Sequence, residues 1–467
     1  MSGVIDDYLK KYGLKKTWES LLFNLLKDQR IEHEKDIKEN LLGNKTFYEI
    51  SDLYEYSLAF IDKLLKRESG QYYTPEDICQ FMAKEINKFD EGIWCDPCCG
   101  IGNLAYEVLK LKPEMINTIQ FFDIDETALY ICRILMAYFF NVDFDSIKQN
   151  FHNCSFLEPN NIEYNFIIMN PPYNGKEKGE DLYVSFMKKA SEADGYISIT
   201  PQSFTNSTNK ECVELKNKIN NFSYFKIYCF DNVPGNIFCG KKKGIFNTNT
   251  SNSVRAAITV CRKNENANLI TPLLRWKTEE REELLNSVDD FLVNSERIFQ
   301  GKKFLKLFKN TEDLLDYGDK ELWQILSKNK TDYILYVPST PRYYITASKR
   351  KLNRSSYHEL YFNNQNDLNL AYLILNSSYM YWWWRVADGG MTLSAEVLKS
   401  IRFDSNLALN KELIFKLEQE EKTCLVLKVN AGKINENIKH SEELLAELDK
   451  FLGFEKIIYI KGNSYVG

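Results

Sequence analysis

Between about residues 67 and 262, short apolar runs alternate with segments of helical period, and this alternation constrains the fold more than any other feature. EGIWCDP, TIQFFDID, YNFIIMNPP and DGYISITP each have the compact apolar core of a strand covered on both faces. GNLAYEVLKL, ETALYICRILMAYFF and LYVSFMKKASEA lie between them with helical spacing. Strand–helix alternation of this kind predicts an α/β fold with a doubly wound, mostly parallel sheet.

The flanks read differently. Residues 1–66 are predicted helical: TWESLLFNLLKDQ puts Trp18, Leu21, Leu22 and Leu25 on one face, and DLYEYSLAFIDKLLKR does the same with Leu53, Tyr56, Phe60 and Leu64. After 263 the alternation fades into charged helical, then aromatic and irregular sequence, and 406–467 returns to charged helices. The expected organisation is therefore 1–66 helical, 67–262 α/β, 263–405 a further domain and 406–467 a helical segment.

Composition removes several classes of function. A net charge of −5 gives no global basic signature, although a locally basic cleft is compatible with an acidic average. Only four histidines occur, at 33, 152, 358 and 440, which argues against a His-rich metal site or a Ser/His/Asp triad. Eleven cysteines form no regular framework, and WCDPCCG lacks a second pair at zinc spacing, so no metal is expected. MSGVIDDYLKKYG has early acids and no apolar core, and no apolar run approaches the ~18 residues of a membrane span. A cytoplasmic protein without membrane contact is expected.

Two stretches carry chemistry. In DPCCGIGNL, Asp96 ends a strand, while Gly100 and Gly102 permit a tight turn and close approach of a ligand to the backbone. The next strand ends at Asp123 and Asp125, where an acid is placed to bind ribose hydroxyls. The third glycine of a dinucleotide fingerprint is missing, so no pyrophosphate cradle is implied; S-adenosylmethionine fits better than NAD. In FIIMNPPYNG the apolar run stops at Asn170, Pro171, Pro172 and Tyr173, because proline fixes φ and has no N–H to donate.

In order, GQYYTPEDICQFMA, DPCCGIGNL, FFDIDETAL and FIIMNPPYNG resemble the motifs of S-adenosylmethionine-dependent adenine-N6 DNA methyltransferases of the gamma order, restriction–modification type. The resemblance covers residues 45–262 well and 331–405 loosely. It implies a Rossmann-like methyltransferase domain, a C-terminal target-recognition domain and double-stranded DNA as partner. Residue by residue, it implies cofactor contacts from Tyr73, Thr74, Pro75, Asp96, Gly100, Gly102 and Asp123. Ser155 stands where the family has an acid, and Phe156 or Leu157 is placed to stack on the cofactor's adenine. Phe238, with Phe246 second, matches the aromatic that stacks on the flipped base.

The chemistry of an adenine amine explains the proline motif. Its nitrogen lone pair is delocalised into the ring. Acceptors at the Asn170 amide oxygen and the Pro171 carbonyl would take its two N–H bonds, Pro172 would hold that carbonyl rigid, and Tyr173 would stack on the base. The target atom is shielded in a duplex, so base flipping is implied. Beyond the α/β region, Arg342, Lys349, Arg350, Lys351 and Arg354 interleave with aromatics and are candidate DNA contacts. A self-sufficient enzyme is expected, acting alone or beside a cognate restriction endonuclease. The alternatives are a modification subunit that depends on a specificity subunit, and a methyltransferase acting on RNA or a protein glutamine.

Overall fold

The computed structural model describes residues 2–457 apart from 29, 62–72, 178, 233, 240–253, 296, 297, 300, 301, 342, 431 and 432. The chain forms two compact units, Met1–Leu269 and Ile270–Gly467.

The first unit is built on the expected sheet. Its strands are β1 (Trp94–Asp96), β2 (Gln120–Phe122), β3 (Phe151–His152), β4 (Phe166–Met169), β5 (Gly195–Pro201), β6 (Tyr224–Phe230) and β7 (Ala256–Arg262). They lie in the order β3-β2-β1-β4-β5-β7-β6. The pairs from β3 through β5 are parallel. The strand β7 runs antiparallel to both β5 and β6. Every residue of β1, β4, β6 and β7 is buried, as strands covered on both faces require.

The helices α1 (Ser2–Leu26) and α2 (Phe47–Ile61) belong to this unit. Within the expected helical region 1–66 the described residues form α1, kinked at Gly13, and α2, with turns and coil at 27, 28 and 30–46; 62–66, Leu64 among them, lie outside the described residues. Trp18, Leu21 and Leu22 are fully buried. Chain order along the sheet reverses between β1 and β4. In open α/β sheets a ligand crevice forms at such a reversal, outside the carboxyl ends of the strands.

The second unit contains small antiparallel pairs and helices. Among these are α3 (Gln365–Asn376), α4 (Ser378–Ala387) and α5 (Lys411–Thr423), and a hairpin of β8 (Leu425–Asn430) and β9 (Lys433–Ile438). The three tryptophans of YWWWR are inside it: Trp382, Trp383 and Trp384 are at most 5% exposed. Their ring N–H groups donate to Thr311, to Val397 and Ser400, and to Thr392. They are packing residues. Among the described residues, no helix is long and apolar enough to cross a membrane.

Candidate functional site

The carboxyl ends of β1, β2 and β4 open onto a cleft of about 660 Å³. That lies within the ~300–1,000 Å³ typical of small-molecule sites. Asp96, Gly100, Asp123 and Asn170 all line it, together with Tyr73, Thr74, Ser155, Phe156 and Pro172. Five short segments far apart in sequence are gathered there.

The glycine loop is fixed from outside itself. The Cys99 N–H donates to the Phe122 carbonyl at 3.0 Å, anchoring the loop to β2. The Gly100 N–H donates to Asp123 Oδ2 at 2.8 Å, and Asp125 N–H donates to Asp123 Oδ1 at 2.9 Å. Asp123 therefore braces the loop while facing the cleft. Asp125 has another task. It caps the helix Glu126–Phe140, accepting from the N–H groups of Thr127 and Ala128.

The two glycines also divide. Both have left-handed backbone, φ +53° at Gly100 and +94° at Gly102. A Cβ on Gly100 would meet Tyr73 first, at 3.5 Å, whereas a Cβ on Gly102 would sit 2.6 Å from Met136 Cε and 2.8 Å from Cys132 Sγ. Gly102 serves the close packing of the helix Glu126–Phe140 and is not among the described residues lining the cleft. Pro75 is likewise buried at the start of the helix Glu76–Lys84 and outside the cleft wall.

A buried polar relay, which sequence reasoning missed, supports the proline motif. Ser51 on α2 donates to Asn103 Oδ1 at 3.0 Å, and Asn103 Nδ2 donates to the Thr74 carbonyl at 3.2 Å. The Thr74 hydroxyl in turn accepts from Asn170 Nδ2 at 3.0 Å. The position of Asn103 directly after Gly102 was the one available signal.

Electrostatically the cleft is acidic. Asp96, Asp123, Glu158 and Glu177 line it, and no described lining residue is Lys, Arg or His. Burial, with Asp123 adding its charge, pushes the Asp96 carboxyl up to about 8. Burial also raises Asp123 above the usual carboxylate range, against the N–H groups of Asp125 and Gly100 that hold it down. A cation would relieve both acids, and a phosphate would not. Phe156 is 1% exposed and stands edge-on to Phe122 and stacked on Phe186, which also lines the cleft.

Tyr173 and Phe238 meet each other. Their ring centroids are 5.6 Å apart at 74°, and the residues are 9% and 0% exposed. Neither is among the described residues lining the cleft, nor is Pro171. The second candidate, Phe246, lies outside the described residues, as does Arg342.

The rest of the basic run is bound into its own unit. Lys349 donates to Glu418 at 2.6 Å and to Asn369 at 2.8 Å. Arg350 donates to the Glu421 carbonyl at 2.9 Å, and the buried Glu421 carboxylate collects the N–H groups of Lys349 and Arg350 and the Tyr372 hydroxyl. Arg354 donates to the Glu436 carbonyl and to Asn437. Lys351 keeps its side chain 57% exposed.

Comparison with known proteins finds likenesses that include this region of the chain. Residues 47–204 match the family model described as N-6 DNA Methylase. The type II methyltransferase M.VspI of a Vibrio species is 33% identical over 137 residues, 28% of this chain and 31% of that protein. The methylase subunit of the type I restriction enzyme MpnII of Mycoplasma pneumoniae is 26% identical over 142 residues, 26% of this chain and 25% of that protein. The chain thus spans less than a third of the length of these relatives. A type I restriction-modification methyltransferase subunit from Streptococcus thermophilus superposes with a TM-score of 0.37 at 15% identity, over 56% of this chain and 62% of that one. Residues 47–204 are thus similar to the N-6 DNA methylase family, and the curated relatives that share this likeness are named as restriction–modification methyltransferases.

Proposed function

We propose that the chain is a site-specific DNA adenine-N6 methyltransferase that takes its methyl group from S-adenosylmethionine, flips the target adenine out of the duplex and protects DNA in a restriction–modification system. The observation that carries this reading is the Thr74–Asn170 hydrogen bond at the rim of an acidic cleft at the sheet reversal. With its nitrogen held by Thr74, the Asn170 amide turns its acceptor end away, suited to an amine N–H.

The cleft suits the cofactor in size and charge. In this reading Tyr73, Thr74, Asp96, Gly100, Asp123, Ser155 and Phe156 hold it, with Asp96 and Asp123 facing its ammonium and hydroxyl groups. When bound, the sulfonium supplies an electrophilic methyl. Asn170 and the Pro171 carbonyl accept the two N–H bonds of the adenine amine, drawing its lone pair out of the ring. Transfer would form the N–C bond at the expense of the donor's S–C bond, and the amine would give up one proton to water. Tyr173 stacks on the base, backed edge-on by the fully buried Phe238, and offsets part of the few kcal/mol that flipping costs, about 1–3 kcal/mol per stacked base.

Target recognition falls to the second unit in this reading. Residues 406–457 join 270–405 in it, whereas 263–269 belong to the first unit, and Glu418, Glu421 and Glu436 hold the basic run. Lys351, 57% exposed beside Glu359, is open to a phosphate. A second reading, a modification subunit that needs a specificity partner, draws support from the MpnII relative, whose name is that of a methylase subunit.

The test is transfer of labelled methyl from the cofactor to DNA, RNA and protein in parallel, by wild type and Asn170→Ala. Label in DNA as N6-methyladenine, absent with Asn170→Ala, is expected. Equal labelling by both proteins, or label in RNA or protein instead, overturns the reading. Activity only after a specificity subunit is added selects the second.

A further inference from the structure

The second unit holds a cavity of its own, about 220 Å³ in volume. One wall is the β8–β9 hairpin. Lys428 pairs with Asn435 and Val426 with Asn437, so alternation puts Lys428, Asn435 and Asn437 on one face of it. Thr340, Tyr343 and Tyr344 line the cavity opposite them, and Arg354 completes the lining.

Its charge is the reverse of the cofactor cleft. The lining includes Lys428 and Arg354 and, among the described residues, no Asp or Glu. Arg354 is partly buried, yet both groups it donates to, the Glu436 carbonyl and the Asn437 amide oxygen, are neutral. The titratable group acting on it is the Tyr344 hydroxyl. The Arg354 Nε and that hydroxyl are each enclosed without a hydrogen-bond partner. The Lys428 ammonium lies 5.4 Å from the Tyr344 ring centroid and 5.9 Å from that of Tyr343.

Holding a guanidinium partly out of water with neither counter-ion nor a full set of acceptors carries a cost. Orphaning a tyrosine hydroxyl beside it adds to the cost. One tetrahedral oxyanion relieves both: its negative oxygens accept from Arg354 and Tyr344 and face Lys428. The guanidinium fork favours such a group geometrically.

We propose that this cavity is a phosphate-binding subsite in which Arg354 and Lys428 supply the positive charge and Tyr344 a hydrogen bond. If the chain acts on DNA, as proposed above, the phosphate is a backbone phosphodiester, and the subsite anchors the duplex without reading sequence. Only the source of the phosphate rests on that reading; the chemistry of the cavity does not.

The full chain is compared with Lys428→Gln, Tyr344→Phe and, as a control directly after the same hairpin, Lys439→Gln. Inorganic phosphate is tested against chloride at equal ionic strength by thermal melting, and a fluorescent duplex is titrated across a salt series. Phosphate is expected to raise the melting temperature of wild type and the control above that in chloride, and to do so in neither cavity variant. In the duplex arm, Lys428→Gln is expected to bind several-fold more weakly, with a salt slope reduced by about 0.9, one phosphate's worth. Tyr344→Phe keeps the charge, so its affinity should fall at unchanged slope.

A phosphate effect without a change in duplex binding assigns the cavity to free phosphate. A duplex effect alone assigns it to the DNA backbone. No difference among the four proteins in either arm overturns the subsite. A chain that binds no duplex refutes the DNA reading, and the inorganic phosphate arm then decides the cavity alone.

Discussion

Asn170 Nδ2 lies 3.0 Å from the Thr74 hydroxyl, joining positions 96 residues apart. The bond decides which end of the amide faces away from Thr74. Thr74→Val should therefore lower kcat about 10–100-fold, the scale of a misplaced reacting group. Cofactor affinity should stay within a few-fold, and Thr74→Ser should restore turnover. Steady-state kinetics beside cofactor calorimetry checks this; parallel loss of binding and turnover would make Thr74 an ordinary cofactor contact.

Asp96 makes stability depend on pH. Its folded pKa, about 8, is raised above the unfolded value of ~3.9, so the folded chain holds the proton more tightly. That contribution is fully present below the unfolded pKa and is lost as pH rises towards about 8. Asp96→Asn lacks the term. Between about pH 4 and 8, wild type should lose denaturation midpoint relative to the variant. An ammonium-bearing ligand favours the carboxylate, so its binding at neutral pH should release a proton. Calorimetry in buffers of different ionisation heat measures it, and parallel behaviour of the two proteins would sink the argument.

The two loop glycines should fail in different ways. Gly102→Ala drives a methyl into Met136 and Cys132 at a left-handed position. It should cost about 1–3 kcal/mol by overpacking, with backbone strain added. Gly100→Ala makes an ordinary 3.5 Å contact with Tyr73. Its stability cost should be limited to about 1–2 kcal/mol of φ strain, while its methyl intrudes on the cleft wall and weakens cofactor binding. Urea melts and cofactor titrations separate the two; identical profiles would contradict this division.

Tyr173 works through its ring in the proposed reaction. Tyr173→Phe should keep activity within a few-fold, and Tyr173→Ala should lose most of it. A duplex with 2-aminopurine at the target should brighten with wild type and with Tyr173→Phe as the base leaves the stack. Phe238→Ala, which empties a fully buried site, should also cost about 3–5 kcal/mol of stability. A fully active Tyr173→Ala enzyme would remove the stacking role.

What the sequence disclosed was local. Apolar runs ending in DPCCGIG and NPPY mark strand ends, because proline and glycine break regular structure within a few residues. Those ends meet around one cleft. What it hid depends on distant partners. Nothing near Ser51 or Asn103 announces a relay to Asn170. The basic run reads as outward-facing until Glu418 and Glu421, 69 and 71 residues beyond Lys349 and Arg350, are seen to hold it. Both loop glycines looked like ligand glycines, since the helix that crowds Gly102 is invisible without tertiary structure.

The described lining of the acidic cleft lies within residues 73–186, inside the first unit. On the proposed function, this separates the methyl donor's pocket from the part of the chain that chooses the address. Drift in the second unit can then change which sequences are marked while the donor pocket keeps its composition. Lineages carrying this architecture should diversify quickly in specificity and slowly in chemistry.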